Sequence, residues 1–148
     1  MHYMRRFRFV LVVLSLALGA SLAVQTAGGA ESAAVNTLSG RLVTDGGSFE
    51  LKLSSKPQPI PLNELFELTI EVLPAKKVKD PNPFWLSINA TMPAHKHGMN
   101  TRPRVEDLGN GRFVIRGMLL HMAGDWEISL DVAKGGIREQ AKISLNVE

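Results

Sequence analysis

The chain has 148 residues, no cysteine and a formal net charge of +3. Arg5, Arg6 and Arg8 supply that whole excess. Beyond position 30, 14 basic side chains balance 14 acidic ones, so the concentrated positive surface that nucleic acid requires is not expected. Without cysteine there is neither a disulfide framework nor a thiolate centre, and a domain of about 115 residues must be held by an ordinary apolar core.

Residues 1–30 open with a basic stretch ending at Arg8 and continue with an apolar run over residues 9–24. Ser21-Leu22-Ala23 and Gly28-Gly29-Ala30 both fit a cleavage site, so the segment reads as a secretory signal peptide. The alternative is an uncleaved anchor, although the run is short beside the about 20 residues of a membrane span. The expected location is the periplasm or the medium, with anchorage to the inner membrane, facing the periplasm, as the alternative. Membrane contact is expected only if the segment is retained. Residues 31–36 read as a flexible lead, and residues 37–148 as one domain.

Short apolar alternations then follow one another, punctuated by turn residues. Residues 38–43 and 49–53 flank Asp45-Gly46-Gly47, a hairpin signal. Residues 56–61 form a proline-broken connection. Phe66, Leu68, Ile70 and Val72 alternate with Glu67, Thr69 and Glu71, the period of a half-buried strand that Pro74 stops. Lys76, Lys77 and Lys79 read as a solvated loop. Phe84, Leu86, Ile88, Ala90 and Met92 make the next inward face, closed by Pro93. A weaker extended run covers residues 101–106, and residues 107–111 read as a turn.

Phe113 and Ile115 face inward, but Met118, Leu120 and Met122 continue one residue out of phase. An extra residue at Gly117, a β-bulge, reconciles the two runs. Trp126, Ile128, Leu130 and Val132 face inward on the next strand, and after Gly135-Gly136 the residues Ala141, Ile143, Leu145 and Val147 complete the sheet. No helical period is sustained after the signal. The expected fold is all-β, an immunoglobulin-like antiparallel β-sandwich of seven or eight strands.

Beyond the first 30 residues every histidine and methionine lies between positions 92 and 122, in Met92-Pro93-Ala94-His95-Lys96-His97-Gly98-Met99-Asn100 and Met118-Leu119-Leu120-His121-Met122. Imidazole and thioether are donors that suit copper, and neither carries the oxidation liability of an exported thiolate. If residues 95–97 are extended, His95 and His97 project from one face with Cα atoms about 6–7 Å apart, and Gly98 permits a tight turn that returns Met99. His121 points out of the core near the Ala123-Gly124 turn. It meets the other two only if the strand order brings both loops to one end of the sandwich, and otherwise it is an exposed strand histidine or one bonded to Asp125. Met92 and Met118 fall on inward faces and read as core. Met122 is ambiguous beside a glycine turn, and Met99 is claimed by no core face. The candidate metal ligands are His95, His97, Met99, His121 and Met122, with His95, His97, Met99 and His121 as the outward-facing set.

Met92 to Met99 in that order, then Gly111-Arg112-Phe113, Gly117-Met118, His121-Met122 and Gly124-Asp125-Trp126-Glu127, resemble the signature of YtkA-like domains. The resemblance is strongest over residues 83–132. It implies an exported β-sandwich related to the FixH proteins, which are associated with assembly of copper-containing terminal oxidases. It also implies that Met92, His95, His97, Met99, Met118, His121 and Met122 are the motif residues. The functional expectation is a monomeric exported copper-binding protein that buffers or delivers copper, with a copper-accepting envelope protein or oxidase subunit as partner. The alternative is a metal-free envelope assembly module in which the His/Met stretch is structural. No enzyme is expected, since no nucleophilic triad, paired carboxylates or phosphate-binding glycine loop is present.

Overall fold

The computed structural model describes residues 37–75 and 80–148. The expected signal peptide, the expected lead up to residue 36, and Lys76, Lys77 and Lys79, expected in a solvated loop, lie outside them. The described residues form nine strands: β1 (Ser39–Val43), β2 (Phe49–Lys56), β3 (Leu65–Pro74), β4 (Trp85–Met92), β5 (His97–Gly98), β6 (Arg104–Asp107), β7 (Arg112–Leu119), β8 (Gly124–Lys134) and β9 (Ile137–Val147). Among the described residues none is helical, and no helix is long and apolar enough to cross a membrane.

The strands make two antiparallel sheets, ordered β1-β2-β3-β7-β6 and β5-β4-β8-β9. Strands β2, β3, β7 and β6 take the places of A, B, E and D in an immunoglobulin constant-type sandwich, and β4, β8 and β9 those of C, F and G. Short edge strands β1 and β5 are additions. The expected count of seven or eight strands is therefore exceeded. The surplus is the two-residue strand β5, too short to show any alternation in the sequence.

Period two is what builds the core. Phe49, Leu51 and Leu53 on β2, Phe66, Leu68, Ile70 and Val72 on β3, and Trp126, Ile128, Leu130 and Val132 on β8 are all buried between the sheets. Strand β9 follows the same rule less strictly: Ala141 and Val147 are buried, while Ile143 and Leu145 only pack against the core from its margin. Outward residues carry cross-strand ion pairs such as Lys52–Glu71 and Lys142–Glu127, both at 2.9 Å. Exposed pairs of this kind contribute about 0–1 kcal/mol each, so they tune register more than they hold the fold.

The bulge expected at Gly117 is present. Phe66 pairs with Met118 and Glu67 with Arg116, leaving Gly117 unopposed at φ +82°. It restores the inward phase, so that Met118 and Leu120 are both fully buried. The turn at residues 109–111 has three successive positive φ values, at Gly109, Asn110 and Gly111. It also docks on β3, with the Val72 amide donating to the Gly111 carbonyl at 2.7 Å.

Two glycines therefore differ in what they tolerate. A Cβ at Gly111 would stand 2.6 Å from the Val72 carbonyl oxygen, whereas at Gly117 the nearest heavy atom is 4.0 Å away. Both Gly111→Ala and Gly117→Ala should lose about 1–2 kcal/mol to the left-handed backbone. Gly111→Ala should lose at least about 1 kcal/mol more by steric conflict in a docked turn. Urea unfolding of the two variants checks the order.

Candidate metal centre

The antiparallel pairing of β4 with β8 decides where the histidines go. The ladder runs from Trp85–Ala133 to Thr91–Glu127, so the end of β4 lies beside the start of β8. Beyond Met92 the chain reverses through residues 93–96, closed by hydrogen bonds that the His95 and Lys96 amides donate to the Met92 carbonyl at 3.1 and 2.9 Å. Lys96 takes the left-handed conformation, φ +57°, that completes the reversal. The expected turn at Gly98 is thus replaced by one that precedes it. Gly98 lies within β5 opposite Thr91, where an added Cβ would sit 3.0 Å from the Ala90 carbonyl oxygen.

This reversal changes the roles of the two histidines. His95 and His97 do not share the face of an extended segment, because His95 belongs to the turn and His97 to a strand. His97 pairs directly with Met92, and opposed residues of an antiparallel pair share a face. Since Met92 is buried, His97 looks inward rather than outward, at the rim of the core. His95 stays exposed in the turn. The His95 and His97 rings lie 5.8 Å apart between centroids.

His121 arrives from the other sheet. Strand β7 ends at Leu119 in the five-stranded sheet and β8 begins at Gly124 in the four-stranded one, so residues 120–123 cross between the sheets at the end that carries the β4–β5 turn. Leu120, fully buried, anchors the crossing, and its carbonyl accepts the Asn63 amide at 2.9 Å. His121 follows, with its ring 5.4 Å from that of His97. The loop condition set by the sequence is met: both segments lie at one end of the sandwich. Asp125 is engaged elsewhere, accepting from Asn146 Nδ2 at 2.7 Å, and His121 Nδ1 is buried with no hydrogen-bond partner.

Trp126 joins the two histidines, a role that sequence phase does not reveal beyond placing it in the core. Its ring stands edge-on to His97 at 6.2 Å and to His121 at 5.6 Å. The indole Nε1 donates to the Met122 carbonyl at 2.9 Å, tying the crossing to β8. The methionines separate. Met92 and Met118 are core residues, and Met122 is 40% exposed because its phase is lost once the chain leaves β7. Met99 is partly buried and packs against the core, so a core face does claim it.

Two imidazoles that share a metal, each at a bond of about 2 Å, have ring centroids about 5–6 Å apart. His97 and His121 satisfy that spacing, as do His95 and His97. His97 Nδ1 lies 3.3 Å from the Gly98 carbonyl; with Nδ1 as donor, Nε2 keeps its lone pair for a ligand. Among the described residues no three histidine, cysteine or carboxylate side chains form a group able to hold a metal ion. Any metal here would therefore rest on two imidazoles and a thioether, or on a rotated third imidazole. The unpartnered nitrogen of His121 fits such a role, since leaving it unpaired costs about 1–3 kcal/mol.

No family model matches the chain, and no curated protein matches it. Among solved structures it matches "as isolated" FetP of uropathogenic E. coli strain F11, expressed in the E. coli periplasm. The TM-score is 0.43 at 8% identity, over 74% of this chain and 96% of FetP. That overlap is too loose to transfer a role. The β-sandwich expected from the sequence is the architecture observed.

Trp126→Phe removes the Nε1 bond and leaves the Met122 carbonyl without it. A stability loss of about 1–3 kcal/mol is expected from the lost bond and the smaller ring. Amide hydrogen exchange should rise over residues 120–123 while β2 and β3 remain protected, which a peptide-resolved exchange measurement checks.

Proposed function

We propose that the chain is an exported copper-binding protein that buffers copper or hands it to an envelope partner through the His/Met end of its sandwich. The observation that carries this reading is the pairing of His97 with His121 across the two sheets, with His121 Nδ1 buried and unpartnered. Imidazole and thioether are the soft or borderline donors collected there among the described residues, and both suit copper. The resemblance to YtkA-like domains, and through them to FixH proteins linked to copper-oxidase assembly, points the same way.

Copper is cargo in this reading. His97 and His121 hold it, His95 stands exposed beside His97, and Met99 and Met122 are thioethers in reserve. A site open on the His95 side lets an incoming protein replace ligands one at a time. The competing reading is a metal-free assembly module, in which the same rings are a packed aromatic cluster around Trp126. It is favoured by the lack of a three-residue His/Cys/carboxylate group among the described residues.

A copper titration of the purified protein beside His97→Ala/His121→Ala separates the two. The parent should take up one equivalent, and the double variant should lose at least about tenfold in affinity. Equal, weak and non-stoichiometric uptake by both proteins would sink the copper reading.

A further inference from the structure

A second feature of this end concerns Met92, whose burial first marks it as core filler. Met92 is the direct cross-strand partner of His97. One step past the Thr91–Glu127 pair, the same register sets Met92 beside Trp126, which in turn pairs with Leu145. His97, Met92, Trp126 and Leu145 thus form one row across the inner face of the four-stranded sheet. The far end of the Met92 side chain reaches toward β8: its Cε lies 3.1 Å from where a Cβ on Gly124 would stand. Gly124, by having no side chain, leaves the room that this methyl group uses. The thioether therefore extends from the partner position of His97 toward the crossing that carries His121.

We propose that His97, His121 and Met92 form a three-ligand site for monovalent copper, with Trp126 as its wall; this deepens the copper reading above and rests on it. Two imidazoles and one thioether are a low-coordinate, soft donor set. Divalent copper favours a tetragonal array of nitrogen and oxygen ligands, and among the described residues no three histidine, cysteine or carboxylate side chains gather to begin one. Trp126, 1% exposed and edge-on to both imidazoles, fills the inner side where a water ligand would otherwise enter. Trp126 is a positioning residue, since it holds the two rings and touches no exchangeable group. His95, exposed on the other side of His97, is left for ligand exchange.

The chain has two tryptophans, Trp85 and Trp126. Trp85 is 46% exposed on β4 at the opposite end, so Trp85→Phe leaves a folded protein whose indole fluorescence reports Trp126 alone. Titrating this variant with monovalent copper under anaerobic reducing conditions, against a colorimetric chelator, should quench the fluorescence with a break at one equivalent. Adding Met92→Leu, a swap that nearly conserves volume, should leave thermal unfolding almost unchanged. It should also weaken monovalent copper binding by about tenfold or more, while divalent copper binding stays within about twofold.

Monovalent binding that is indifferent to Met92→Leu, or divalent copper held more tightly than monovalent, would overturn this site and leave the copper reading standing. If neither ion binds in stoichiometric amount, both are overturned. Quenching that survives in His97→Ala at the parent's affinity would place the ion elsewhere and also refute the site.

Discussion

The antiparallel register between β4 and β8 is the constraint on which the whole histidine end depends. It places the end of one strand beside the start of the other, so the β4–β5 turn and the inter-sheet crossing emerge together. Side chains alternate with period two, and a slip of β4 by one residue would move Leu86, Ala90 and Met92 to the outer face. The register is secured by burial on both strands: Leu86 stands opposite Val132 and Ala90 opposite Ile128, all four buried. The metal chemistry proposed for this end is thus a by-product of core packing. The residues that fix the geometry are mostly apolar and touch no ligand.

The two sheets contribute unequally. The four-stranded sheet supplies His97, Met92 and Trp126 in one row, of which Met92 and Trp126 are buried in the core. The five-stranded sheet delivers His121 at the end of β7, after the bulge at Gly117 has reset the phase so that Leu120 is buried. Without that extra residue, the crossing would start with the opposite side chain facing in. A backbone irregularity at Gly117 therefore determines which residue of the Leu120-His121-Met122 run is presented to His97.

The arrangement also explains why the aromatic cluster and the copper site are compatible readings of one geometry. Edge-on contacts between Trp126 and two imidazoles are favourable packing in their own right, worth about 0.5–1.5 kcal/mol for such pairs. Packing alone does not use the buried Nδ1 of His121, which has no hydrogen-bond partner. On the copper reading proposed above, that nitrogen is the one offered to the ion.

Much of the fold was legible in the sequence, because burial on one face of a strand imprints period two on the residues themselves. The alternations of β2, β3 and β8, the hairpin at Asp45-Gly46-Gly47, and the phase break that required a bulge at Gly117 all depend on near neighbours in the chain. So did the collection of histidine and methionine in one window. What the sequence alone could not decide was which of them meet. A single extended segment would send His95 and His97 outward together. The left-handed Lys96 closes a turn between them, and nothing in the lysine side chain announces that conformation. The approach of His121 depended on strand order across two sheets, a long-range property that local periodicity does not carry. Met99 looked unclaimed for the same reason: the core face that takes it belongs to strands distant in sequence. The donors were written in the chain, and only the pairing of the strands decided that they face one another.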